Sequence, residues 1–154
     1  MRRIRLLACG EQKFSELKGI TEHYVRQIGR YCDFDLQVLR AVKGGDSAQI
    51  LRREGEQLLR ALGERDALVL LDPAGRQYDS PGLARWLSDR LDRDSRTLVW
   101  AIGGADGFDG PVRARAEEAL SFSALTFPHD LFRIMALEQL YRSFSIIQGH
   151  PYHR

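Results

Sequence analysis

The residues able to do chemistry crowd into the last third of the chain. A glycine run, Gly103-Gly104-Ala105-Asp106-Gly107, follows the apolar stretch Thr97–Ile102, and a run of hydroxyls among apolar residues, Ser121–Phe127, leads into Pro128-His129. Glu138 and Arg142 stand four apart, and the tail carries His150, Tyr152, His153 and Arg154. A glycine run after a strand lets main chain approach a ligand closely, although a strand-to-helix turn needs glycine too. This run is neither GxGxxG nor a P-loop, since it lacks the Lys and Ser/Thr, so hydride cofactors and nucleotide hydrolysis lose ground. No Cys/His spacing fits zinc and no GxSxG elbow is present. Glu138 and Arg142 share one stripe of a helix in the better orientation for an ion pair, either a register device at an interface or part of a site. Tyr, His and Arg at the tail suit stacking on a base and holding a phosphate, or are simply a polar chain end. His23 reads as inert on a surface helix, whereas His129 stands where a strand end would place a site.

These groups need a scaffold, and the sequence outlines one. Residues 3–9 read as a first strand, Leu17, Ile20, Tyr24 and Ile28 as the inward stripe of a helix, and Phe34, Leu36 and Val38 as a second strand. Asp46 or Ser47 caps the next helix, which turns Leu51, Leu58 and Leu62 inward. Its neighbours Lys43, Arg52 and Arg53 are phosphate contacts or an ordinary solvated face. Ala67–Leu71 has the profile of a strand buried on both faces, ending at Asp72-Pro73-Ala74-Gly75. Ser80-Pro81 opens a helix with Leu83, Leu87 and Leu91 inward. Thr97–Ile102 is another apolar strand. Asp109-Gly110-Pro111 begins a helix with Val112, Ala116 and Ala119 inward, and Ser121–Phe127 is the last strand. Alternation of this kind predicts a single α/β domain over residues 1–154, with a mainly parallel sheet and helices on both faces. Ligands then collect at the carboxyl ends of the strands. The final helix, 131–147, is apolar on most of its circumference, so a second copy is expected to cover what the sheet cannot: a homodimer.

Composition bounds the partners. The 154 residues are 44% apolar and carry 23 basic against 21 acidic residues, a balance unlike that of proteins that coat nucleic acid. Residues 1–60 hold the basic excess, 12 Lys/Arg against 8 Asp/Glu. Two cysteines, Cys9 and Cys32, form no disulfide framework and fit a reducing cytosol. No stretch reaches the length of a membrane span. A soluble cytoplasmic protein without metal is expected.

Six blocks carry a resemblance. Met1–Gly10, Glu54-Gly55-Glu56-Gln57, Ile102–Phe108, Leu120–His129, Glu138–Arg142 and Pro151–Arg154 make the chain, over essentially its whole length, similar to the RlmH family of ribosomal RNA large-subunit methyltransferases, small members of the SPOUT class. The resemblance implies a C-terminal trefoil knot, a homodimer and S-adenosylmethionine as methyl donor. It implies methylation at N3 of a pseudouridine in the helix 69 loop of 23S rRNA on the assembled ribosome. Carried across, the cofactor contacts would be Leu71, Gly103, Gly104, Phe122, Ser123, Ala124, Leu125, Thr126 and Phe127. His153 or Glu138 would serve as base or proton relay, Arg142 would stabilise charge on the imide oxygens, and Tyr152 would position the base. His129 and Arg154 would hold backbone phosphates. The cofactor loops of one copy are expected to face the tail of the other.

Overall fold

A computed structural model describes residues 1–10 and 12–153. Its strands are β1 (Arg3–Cys9), β2 (Asp33–Leu39), β3 (Ala67–Gln77), β4 (Leu98–Ile102) and β5 (Glu118–Ser121). Its helices are α1 (Lys18–Ile28), α2 (Ser47–Ala61), α3 (Ser80–Arg93), α4 (Gly110–Arg115) and α5 (His129–Ile147). The strands pair in the order β2-β1-β4-β3-β5, every neighbour parallel.

Side chains alternate across the central strands and so build two cores. Ile4, Leu6, Val69, Leu71, Leu98, Trp100 and Ile102 face α1, α3 and α5, while Leu7, Cys9, Leu68, Leu70, Val99 and Ala101 face α2 and α4. Two-sided burial is why these strands read as continuous apolar runs. Leu87 on α3 is wholly buried in the first core, a side chain contributing about 1.5–3 kcal/mol by leaving water.

Aspartates begin three of the helices. Asp46 and Gln49 form a reciprocal capping box on α2, and Asp109 Oδ1 accepts from Val112 N–H at the start of α4. Asp79, rather than Ser80, caps α3 by accepting from Gly82 N–H, which frees the Ser80 hydroxyl to donate to Gln139 on α5.

Four sequence expectations are corrected. Ser121–Phe127 is not a strand: β5 ends at Ser121, and Phe122–Pro128 is a loop. There the Ser121 hydroxyl donates to Ser123 C=O and Leu125 N–H donates to Ser123 Oγ, local bonds that compete with a sheet ladder. Strand β3 does not stop at Leu71. Asp72 Oδ1 takes Ala74 N–H in a tight turn, and pairing with β5 resumes at Arg76 and Gln77 after an irregularity. Ala119 belongs to β5 rather than to the preceding helix, because α4 is capped at Ala116. Ile20 lies on the outer side of α1, 47% exposed, and Thr21 and Ile28 are the fully buried positions.

Candidate active site

The carboxyl ends of β3 and β4 open into a pocket of about 530 Å³, within the range of small-molecule sites. Three segments wall it: Leu71–Ala74 from β3, Ile102–Phe108 from the β4 exit, and the loop after β5 running into the first turn of α5. Leu71, Gly103, Gly104, Phe122, Ser123, Leu125, Thr126, Phe127 and His129 all line it, while Ala124 is exposed and does not. The walls are largely apolar, with Phe122, Phe127 and Phe132 packed ring against ring. Polar capacity comes mostly from main chain, as a glycine-rich lip allows.

Three charged members of this wall, Asp72, Asp106 and Arg113, are not among the predicted contacts, although Leu71-Asp72 reads as a strand end where a ligand collects. Arg113 on α4 donates to Asp72 Oδ2 at 2.7 Å and to Phe108 C=O at 3.2 Å. Asp72 is buried and Arg113 half exposed, so opposite charges meet at the pocket's edge. Only the position of Asp72, a charge ending an apolar strand, hinted at a role; Arg113 lies 41 residues away and had no local signal. Nor did sequence reveal how the first turn of α5 is tied down. Buried Asp130 accepts from the main-chain N–H groups of Lys13 and Phe14, and buried Arg133 donates to Gly10 C=O. The exit of β1 is thereby held beside His129.

A larger, more open groove of about 680 Å³ runs along the outer side of α3. Its arginines Arg90 and Arg96 are already paired with Glu117, Glu118 and Asp94, and it is remote from the glycine loop.

The reactive residues of the tail form a second cluster. Arg142 donates to Glu138 Oε1 through Nε at 2.9 Å and Nη2 at 2.5 Å, and its Nη1 reaches His153 Nδ1 at 3.0 Å. Tyr152 donates to the same Glu138 oxygen at 3.1 Å, lies under the guanidinium at 5.0 Å, and meets Tyr24 O–H at 3.2 Å. Burial, with Tyr24 and Glu138 adding to it, pushes the Tyr152 phenol well above its ordinary pKa, so it is a neutral donor. The bond to Glu138 also raises the Arg142 pKa. An arginine has no acceptor, so His153 must offer Nδ1 as a lone pair and keep its proton on Nε2. His150 is engaged elsewhere, with Tyr31 O–H at 2.9 Å. Arg154 lies outside the described residues.

The pocket and the cluster are not one site within one chain. Phe132, the last pocket residue on α5, and Glu138 are six residues apart, about 9 Å at roughly 1.5 Å per residue, and none of Glu138, Arg142, Tyr152 and His153 lines the pocket.

The family model described as "Predicted SPOUT methyltransferase" matches residues 2–153. The chain belongs to the SPOUT methyltransferase family. Among curated relatives, a protein of Geotalea daltonii named "Ribosomal RNA large subunit methyltransferase H" is 43% identical over 151 residues, spanning 98% of this chain and 99% of its own. One of the same name from Alkalilimnicola ehrlichii is 41% identical over 155 residues, spanning 99% of each. A crystal structure of a candidate RNA methyltransferase from Bacillus anthracis superposes with a TM-score of 0.52 at 10% identity, covering 97% of this chain and 96% of the other, a likeness of fold. This SPOUT methyltransferase is thus an enzyme of methyl transfer. Among its described residues no group of His, Cys, Asp and Glu could hold a metal ion, and no helix is long and apolar enough to cross a membrane.

Proposed function

We propose that this methyltransferase moves the methyl group of S-adenosylmethionine to N3 of a pseudouridine in the helix 69 loop of 23S rRNA, acting as a homodimer on the assembled ribosome. The observation that carries the reading is the near full-length likeness to proteins named for large-subunit rRNA methylation. The pocket suits the donor. Leu71, Ile102, Leu125 and the phenylalanines are walls for an adenine ring, and main chain at Gly103 and Gly104 can read its edge. Ser123 and Thr126 are placed for the ribose, and the Asp72–Arg113 pair matches the ammonium and carboxylate of an amino acid. When bound, the donor supplies a methyl group on a sulfonium, whose C–S electrons stay with sulfur as a thioether.

The protein's part is alignment and charge. The N3 imide must lose its proton before its lone pair can attack, and the negative charge then spreads to the imide oxygens. Arg142 and the Nε2–H of His153 are donors for those oxygens, Glu138 is the acceptor for the proton, and Tyr152 stacks on or positions the base. His129 at the pocket rim and Arg154 at the chain end hold backbone phosphates. With the cluster about 9 Å down α5 from the last pocket residue, a second subunit brings the tail to the pocket. Leu131, 44% exposed in the first turn of α5, and Ile147, 36% exposed in its last, are apolar surface that such a copy would cover.

The reading includes the C-terminal knot. Its support is the family likeness; Gly75, where a Cβ would come within 2.6 Å of Ala119 C and 2.8 Å of Leu120 C, lies at the irregularity in the β3–β5 pairing.

The test is transfer of labelled methyl from S-adenosylmethionine to ribosomes lacking the modification, followed by mapping of the labelled nucleotide. Label at N3 of the helix 69 pseudouridine is expected. Label in tRNA, or none, contradicts the proposal. So small an excess of positive charge favours a preformed ribosomal surface, and equal rates on purified 23S rRNA and on ribosomes would contradict that part.

A further inference from the structure

Glu54 and Gly55, from one of the blocks that carry the family resemblance, line no part of the pocket, yet both abut its glycine loop. Glu54 reaches across from α2 and lays its carboxylate against the main chain of Gly104. A Cβ on Gly104 would lie 2.7 Å from Glu54 Oε1 and closer still to Oε2. The next residue meets the far end of the same loop: a Cβ on Gly55 would lie 2.6 Å from Oδ2 of Asp109, the residue that caps α4. Two consecutive residues of α2 therefore touch residues 104 and 109, one through a carboxylate and one through the absence of a side chain. The space between, lined by Cys9, Leu51, Phe108 and Val112, is about 10 Å³, no more than one water needs. The contact is direct.

Holding a carboxylate there is unfavourable. Burial first, and then the nearby Asp106, raise the Glu54 pKa, and the Gly104 N–H opposes them. Asp109, beside Gly55, and the Cys9 thiol, pushed up to about 12 and so neutral, supply no compensating positive charge. A glutamate kept against such opposition, packed directly on one main-chain group of the loop, is placed for that group's alignment.

We propose that Glu54 is the positioning residue of the glycine loop: its carboxylate fixes the Gly104 peptide in the orientation that turns Gly103–Gly107 toward the pocket. Gly104 lacks a side chain because Glu54 fills that space, and not only because a ligand comes near. The consequence for donor affinity rests on the S-adenosylmethionine reading; the consequence for the loop does not.

Both are measured on the full-length protein. In hydrogen exchange without ligand, Glu54→Ala removes the carboxylate packed on Gly104, and amides 103–109 exchange about tenfold faster while β3 and α5 stay as they were. Glu54→Gln, which keeps an acceptor oxygen, stays within about threefold of the parent. In S-adenosylmethionine titrations, Glu54→Ala weakens binding about tenfold and Glu54→Gln restores most of it. Should Glu54→Ala disturb α2 as a whole, coupling decides instead: Gly104→Ala loosens the loop in the parent and loosens it less when Glu54 is also Ala. Unchanged loop exchange in Glu54→Ala, equal damage from Ala and Gln, or strictly additive effects in the double variant would overturn the proposal. A parent protein that binds no S-adenosylmethionine would sink the donor reading while the exchange result still judged Glu54.

Discussion

At the level of single residues, the account turns on what the ring of His153 does. Arg142 occupies Nδ1, which leaves an N–H at Nε2, so in the proposed reaction the ring donates to developing charge rather than serving as the base. His153→Gln, whose terminal amide can still donate from about the same place, should then keep kcat within roughly tenfold, whereas His153→Ala loses about a hundredfold or more. Donor affinity should stay unchanged in both. Equal loss in the two variants would return the role of base to His153. The four members of this cluster were legible because their signals are local, one pair at helical spacing and one tripeptide at the chain end. Asp72 with Arg113, Asp130 with the β1 exit, and Glu54 with Gly104 were not. Each joins segments 41 to 117 residues apart, and such pairs leave no periodicity to read.

At the level of elements, the parallel sheet and its covering helices were legible because strands buried on both faces must be apolar throughout, and because aspartate caps and proline at first turns mark helix starts. The segment after β5 misled, since Ser121–Phe127 has the composition of a strand while its serines satisfy their own main chain. That local turning is what makes the segment a pocket wall instead of a ladder. The order of the strands was beyond sequence, as pairing of β3 with β5 on both sides of the Asp72–Gly75 turn depends on long-range packing. Gly75 is where this packing is tightest. Gly75→Ala should cost about 1–3 kcal/mol in urea unfolding, as overpacking does, with no gain from the stiffer unfolded chain. An unchanged midpoint would mean that β3 and β5 can part without strain.

At the level of the whole molecule, one chain carries two half-sites. The pocket proposed for the donor opens at the ends of β3 and β4, and the groups proposed to meet the imide sit farther down α5. A methyl displacement needs its reacting atoms within about 3–3.5 Å, and the cluster begins about 9 Å down α5 from the last pocket residue, a gap that the tail of a second subunit is proposed to close. The apolar circumference of α5 had already pointed to a second copy, and the distance gives that copy a reason. The most direct measurement mixes two inactive variants, one with a disabled tail, His153→Ala, and one with a blocked pocket, Leu125→Glu. After the subunits are exchanged, labelled-methyl transfer to ribosomes is followed. If pocket and tail come from different subunits, half of the dimers are mixed and each regains one of its two sites, so about a quarter of parental activity returns. If each chain completes its own site, no mixture recovers activity, and that result would contradict the account.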